Sequence, residues 1–370
     1  MTNALDYLDW RGDLSFERSP FCEVDLFILS QICSVNFESI VPGDGGEISL
    51  KEAAEKYFAL HGSTADSLGV LQSPYVLPML EKLPETARFA DLRLCFAYNN
   101  VDFGNEEQCT ALTILVPDGT VNVVFRGTDD TLIGWKEDFN MATKPVVPAQ
   151  KDAESYLRRV ALAKKGKIRI CGHSKGGNLA VYAAATVPKR IRNRILSVCS
   201  FDGPGFRPEF FETRGYRDVL DRTTLIRSQN ALVGTLLEAP GTEVTVHSNR
   251  QGPLAHDGFS WEVKGTAFVR EKGLSDTSLR FKQAMDETLG SMSDAEKQAF
   301  VDELFNTLMS GGANTVRDLK DSNIRALREV AKSFRDDTRV HRFALTVLEQ
   351  FLRSYRDELK ESISSIRFTK

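Results

Sequence analysis

Lys167-Ile-Arg-Ile-Cys-Gly172-His173-Ser174-Lys175-Gly176-Gly177-Asn178-Leu-Ala-Val-Tyr-Ala-Ala-Ala185 is the stretch on which the fold turns. A β-branched run from Ile168 to Cys171 reads as a strand. A G-x-S-x-G follows it, and then an apolar, alanine-rich segment over 178–187 that reads as a helix stopped by Pro188. A serine at the tip of so tight a strand-to-helix turn is pushed out of the sheet, and flanking glycines leave room for the crowded backbone around it. Ser174 is therefore the candidate nucleophile. The helix N-terminus behind it favours negative charge on a bound carbonyl oxygen, with the backbone N–H of Lys175 as one donor. A bare G-x-S-x-G also fits a glycine-rich turn; the strand before it and the helix after it select the nucleophile.

Outward from this point, residues 91–270 alternate short β-branched runs with helical patterns, the signature of an α/β core with a mostly parallel central sheet. Leu92 to Tyr98, Ala111 to Val116 and Val121 to Phe125 come first, the last two separated by the turn Pro117-Asp-Gly119. Residues 149–164 read as an amphipathic helix, and later strands are expected at Ile195 to Phe201, Thr223 to Arg227 and Glu243 to His247. Residues 1–90 read as a helical N-terminal lead-in packed on the core, with helices over Phe21 to Phe37 and Leu50 to Leu60. Residues 271–370 read as a C-terminal helical appendage carrying 17 Lys+Arg and 17 Asp+Glu. Ser293-Asp-Ala-Glu296 is a capping box, Gly311-Gly312 separates helices, and 314–335 and 340–366 repeat apolar residues at helical spacing. Such mixed charge marks solvated helix faces, so packing or homo-oligomerisation is expected of them.

Composition narrows the function. The 370 residues hold 47 Lys+Arg against 51 Asp+Glu, a net charge of −4, which gives no basic field for nucleic acid. The N-terminal ten residues carry acid where a secretory signal carries Lys or Arg, and they lack its apolar segment, so a cytoplasmic location is expected. No apolar stretch has the roughly 18–20 residues of a membrane span. Six cysteines (22, 33, 95, 109, 171 and 199) form no C-x-x-C pair and read as buried structural thiols.

A second informative segment is Phe125-Arg-Gly-Thr128, followed by Trp135 and Asp138. Elbows of this kind take a second oxyanion donor from an upstream loop, and the backbone N–H of Thr128 fits, with its hydroxyl as a further candidate. A β-turn capped by Asp129 or Asp130 would read the same way in isolation. Taken with Gly172-His-Ser-Lys-Gly-Gly177, the segment resembles the class 3 lipases among the α/β-hydrolases. A closer resemblance is to the Mbeg1-like branch of that superfamily. It is carried by Asp6-Tyr7, Trp10-Arg-Gly-Asp13, Glu23-Val-Asp25, the elbow, Phe201-Asp-Gly-Pro-Gly-Phe206 and His256-Asp-Gly-Phe-Ser-Trp261, over roughly residues 6–265. The resemblance implies an α/β-hydrolase fold and a serine hydrolase acting without a cofactor on small-molecule or lipid esters. It supplies no particular substrate. Lys175 departs from the lipases, which carry an apolar residue after the nucleophile.

Of five histidines, His61 precedes the core and His341 follows it, while His173 lies inside the elbow with its side chain directed away from Ser174. The base of this fold comes from a loop after the last strand, in the order Ser, acid, His, and His256 meets that requirement where His247 sits within a strand. A zinc site built on these two histidines lacks the short spacing and the third ligand it would need. Two strand ends offer the acid. Asp202 stands in a tight Asp-Gly-Pro-Gly turn, as in pancreatic-type lipases, whereas the class 3 position offers only Asn230, a neutral orienter. Asp202 is favoured, with Asn230 as the alternative; Asp257 is too close to His256 to reach around its ring. The resulting expectation is an ester hydrolase using Ser174, His256 and Asp202, with Thr128 and Lys175 as oxyanion donors. Its rivals are an inactive hydrolase-fold scaffold and, more weakly, an amide hydrolase.

Overall fold

The computed structural model describes residues 2–63 and 72–318. An eight-stranded sheet organises them: β1 (Ile48–Ser49), β2 (Arg93–Asp102), β3 (Glu107–Leu115), β4 (Val121–Phe125), β5 (Ile168–His173), β6 (Ile195–Phe201), β7 (Thr223–Ser228) and β8 (Thr242–Val246). Strand order follows chain order. β1 to β4 pair antiparallel and β4 to β8 parallel. Tight turns such as Pro117-Asp-Gly119 join β2 to β3 and β3 to β4, while the parallel pairs need longer crossovers, which carry helices between β4 and β7. A small hairpin of β9 (Val263–Lys264) and β10 (Ala267–Phe268) stands apart, unheralded by the sequence because its strands are two residues each.

Both faces of the sheet are covered, as parallel strands require. The five residues of β4 are all buried. Val123 and Phe125 point to one face, where they meet α6 (Pro148–Ala163) and α7 (Lys175–Thr186), while Val124 points to the other. That second face is closed by the N-terminal helices α1 (Ala4–Arg11), α2 (Glu23–Ile32), α3 (Leu50–His61) and α4 (Val76–Lys82). The N-terminal residues thus share one continuous core with the sheet. Between α4 and β7 the remaining helices are α5 (Leu132–Asn140) and three single turns, α8 (Lys189–Arg192), α9 (Pro208–Phe211) and α10 (Arg214–Arg217).

After the hairpin come α11 (Asp276–Gly290) and α12 (Asp294–Leu308); α12 packs on α5 in a third apolar cluster of Leu132, Phe300, Val301, Leu304 and Phe305, which Met285 of α11 joins. The Ser293–Glu296 capping box forms, with Glu296 N–H on Ser293 Oγ at 3.3 Å and Ser293 N–H on Glu296 Oε2 at 2.7 Å. Leu132 N–H then donates to Asn314 O and Val316 N–H to Asp130 O, each at 2.8 Å, so the chain after α12 returns to the loop that carries Thr128. The helices expected over 314–335 and 340–366, and the oligomerisation expected of them, lie outside the described residues apart from 314–318, where Val316–Asp318 is a 3-10 turn. Among the described residues no helix is long and apolar enough to cross a membrane. The topology, a mostly parallel sheet with helices on both faces and a serine at a strand-to-helix turn, is that of an α/β-hydrolase.

Candidate active site

The carboxyl edge of the parallel strands gathers the chemistry. Ser174 sits between β5 and α7 with φ 58° and ψ −134°, a left-handed conformation that costs a side-chain-bearing residue about 1–3 kcal/mol and persists only where its surroundings enforce it. Enforcement comes from both sides: Ser174 N–H donates to Phe201 O at 2.9 Å, and Ser174 O accepts from Gly177 N–H at 2.8 Å. The helix can approach the sheet only because Gly176 has no side chain, since a Cβ there would lie 2.1 Å from Phe125 O.

One strand along, Asp202 follows β6, fully buried and also at positive φ (48°). Its Oδ2 lies 2.6 Å from His256 Nδ1, and its Oδ1 accepts Gly234 N–H at 3.2 Å. Asn230 is half-buried and bonded elsewhere, donating to Arg250 O at 2.8 Å. The geometry therefore joins Asp202 to His256 and leaves Asn230 out. Asp257 is likewise engaged elsewhere: Oδ1 caps the following turn at Phe259 N–H (3.0 Å) and Oδ2 accepts from Ser73 Oγ (3.0 Å).

His256 ends a 3-10 turn, Gly252–His256, and the residues after it hold that turn in place. Trp261 Nε1 donates to Ala255 O at 3.0 Å, and Ser248 and Ser260 share a hydroxyl bond of 2.7 Å. Gly258 leaves space for the ring of Phe27 from α2, which also contacts Phe201, Phe259 and Trp261 edge-on or tilted. His247, just beyond β8, is held at 2.8 Å by Glu271 and takes no part.

His173 has a role that the sequence reading did not assign. Its Nε2 lies 2.8 Å from the backbone carbonyl of His256, and the two rings stand 4.6 Å apart. Burial, reinforced by His256, pushes its pKa down to about 3, so the ring is neutral. A carbonyl can only accept, so Nε2 carries the proton and Nδ1 does not. Pairing between the elbow and a loop 83 residues away leaves no local signal in the chain.

The loop that carries Thr128, the candidate oxyanion donor, is tied in through α5. Thr128 Oγ1 donates to Asp138 Oδ2, so the hydroxyl is occupied and the backbone N–H remains as its candidate oxyanion donor. Lys175 and Glu137 form a fully buried ion pair at 2.6 Å. The Lys175 ammonium also lies 3.7 Å from Asp138 and 3.4 Å from Gln108 Oε1. Burial opposes the lysine charge, but the Asp138 and Glu137 carboxylates outweigh it and raise its pKa. Burial pushes Asp138 up to about 6, against the pull of Lys175 and of the Thr128 hydroxyl. Asn178, one turn into α7, donates to Gly205 O at 2.8 Å and to Pro204 O at 3.3 Å, fixing the Asp202-bearing turn to the helix that follows Ser174. The cue for Asn178 was its place after the double glycine; its partners were not readable.

All six cysteines are free thiols, and burial raises Cys22 and Cys95 to about 11 and Cys33 to about 12, which makes them poor nucleophiles. Among the described residues no three His, Cys, Asp or Glu side chains gather as metal ligands.

No curated protein sequence matches the chain significantly. Among solved structures it is similar to M37 lipase, with a TM-score of 0.35 and 15% identity over 57% of this chain and 68% of that one. It is also similar to the Rhizomucor miehei lipase propeptide complex, with a TM-score of 0.36 and 13% identity over 80% and 83%. The Mbeg1-like family model matches residues 83–306, which take in the sheet from β2 onward, the elbow, Asp202 and His256. With more than half of its length inside that match, the chain belongs to the Mbeg1-like family.

Proposed function

We propose that this protein is a serine hydrolase that cleaves carboxylic esters through Ser174, His256 and Asp202. The observation that carries the reading is the 2.6 Å bond from His256 Nδ1 to buried Asp202, made by a histidine whose loop is bound to the elbow itself through His173. With Nδ1 engaged, Nε2 is the nitrogen free to act as base. It takes the Ser174 hydroxyl proton as Oγ bonds to the ester carbonyl carbon, and Asp202 stabilises the imidazolium that results. The carbonyl oxygen, now an oxyanion, accepts from the backbone N–H groups of Lys175 and Thr128. Collapse of the intermediate breaks the bond to the alcohol, which leaves with the proton from His256. Water, deprotonated by the same histidine, then attacks the acyl-enzyme and releases the acid and Ser174.

The Lys175 side chain is turned into its ion pair with Glu137, so it places no charge beside the nucleophile to repel an apolar acyl group. That favours neutral esters over charged ones. A fluorophosphonate probe on the purified protein tests the reading, alongside hydrolysis of p-nitrophenyl acetate. Labelling of Ser174 and turnover, both lost in Ser174→Ala, are expected. A wild-type protein that neither labels nor turns over would leave a hydrolase fold serving as a scaffold.

A further inference from the structure

Lys175 was the residue that departed from the lipase pattern, and its side chain lies where an apolar one would have been simpler. Burying an ion pair is costly, and a well-packed apolar replacement is often as stable or more so, so stability alone gives a weak account of it. What the pair touches gives a stronger one. Glu137 Oε2 accepts both the Lys175 ammonium at 2.6 Å and Gln108 N–H of β3 at 2.9 Å, and Oε1 accepts Ala149 N–H at the start of α6 at 2.7 Å. One carboxylate thus ties α5 to β3, α6 and α7. The next residue, Asp138, holds the Thr128 hydroxyl with Oδ2, while its buried Oδ1 has no hydrogen bond and faces Lys175 at 3.7 Å.

We infer that the Lys175 side chain is a positioning group for the oxyanion hole: paired with Glu137 and facing Asp138, it fixes the distance between the Lys175 and Thr128 amides. The inference rests on the serine-hydrolase reading. One residue then contributes twice, its backbone N–H as a donor and its ammonium as the clamp that holds the other donor's loop. The clamp works while Asp138 is a carboxylate able to accept from Thr128. The charged groups acting on Asp138 are Lys175 from α7, which favours the carboxylate, and Glu137 and Asp129 from α5 and the donor loop, which oppose it. With its pKa near 6, Asp138 gains a proton as pH falls through 6 and loses part of its hold on Thr128. Removing Lys175 removes the favourable charge, so that loss should occur at higher pH.

The test uses the full chain and the rate of Ser174 labelling by a fluorophosphonate, with p-nitrophenyl acetate kcat as a second readout, from pH 5 to 9. Lys175→Met alone strands the Glu137 charge and risks misfolding, so the working variant is Lys175→Met with Glu137→Gln, checked for folding by circular dichroism. Asp138→Asn and Lys175→Arg accompany it. For the double variant, a fall of about tenfold or more in kcat with little change in KM is expected, and the acid midpoint should move upward, because Lys175 acts on Asp138 more strongly than the opposing Glu137 charge lost with it. Asp138→Asn should lower kcat and flatten the contribution near pH 6, and Lys175→Arg should recover much of the rate. Folded double variant and Asp138→Asn proteins with wild-type rates and wild-type pH profiles would overturn the inference while leaving the hydrolase reading intact. A wild-type protein that fails to label would remove both.

Discussion

At the scale of single residues, the sequence offered two partners for His256, and Asp202 is the one that lies against its ring. Asp202 is fully buried, bonded to His256 at 2.6 Å, and braced by Gly234 N–H. Asn230 bonds a backbone carbonyl in the neighbouring loop. Asp202→Asn is expected to lower kcat by roughly 10³–10⁴ with folding retained, because an amide cannot offset the imidazolium charge and favours the wrong tautomer. Asn230→Ala should stay within about twofold of wild type. Steady-state kinetics on both variants decide it, and the reverse ranking would refute the assignment of the acid. Asp202 was legible from its turn sequence, since Asp-Gly-Pro-Gly after a β-branched run puts a carboxylate at a strand end. The His173 contact was not legible, because an elbow histidine reads the same whether its ring meets solvent, core or another loop.

At the scale of elements, the strand-turn-helix around Ser174 works by close approach. Gly176 lies against the β4 backbone, and a methyl there would sit 2.1 Å from Phe125 O, a rigid neighbour that cannot swing aside. Gly176→Ala should therefore push α7 off the sheet and destabilise the protein by about 3 kcal/mol or more, with the elbow losing its shape first. Urea denaturation measures the cost; a change below 1 kcal/mol, on the order of an ordinary surface substitution, would contradict it. The strands of the core were readable because their β-branched runs are bounded by Gly, Pro and Asp. Val121–Phe125 and Ile195–Phe201 fall where the residues placed them. β2 and β3 run on past the expected ends to Asp102 and back to Glu107, through polar residues that only a partner strand recruits.

At the scale of the whole molecule, the N-terminal helices hold the far side of the sheet and, through Phe27, the loop of His256. Their anchor is a fully buried ion pair: Arg88 Nε and one terminal nitrogen grip both oxygens of Asp25 at 2.7 and 2.6 Å. The other terminal nitrogen holds Leu14 O and Ser19 O at 3.0 Å, and Tyr7 donates to Asp25 at 2.9 Å. Arg88→Met would leave the Asp25 charge unpaired and should cost about 3–5 kcal/mol. Thermal melts of that variant beside Asp25→Asn with Arg88→Met should show the double change less damaged than the single one. Equal losses would mean that packing of the arginine, not its charge, holds the segment.

The amino-acid sequence by itself determined the local events: which runs become strands, where Pro and Gly stop them, and that Ser174 stands at the tip of an elbow. Those follow from steric and periodic rules that act over a few residues. Tertiary structure decided everything that depends on segments meeting across the chain. It set Asp202 and not Asn230 against His256, paired the Lys175 side chain with Glu137, set the His173 ring against the His256 loop, and brought residues 314–316 back to the loop that carries Thr128. The physical reason is that a charge or hydrogen-bonding group in a chain states only what it can do. Its partner is selected when burial removes water as the alternative.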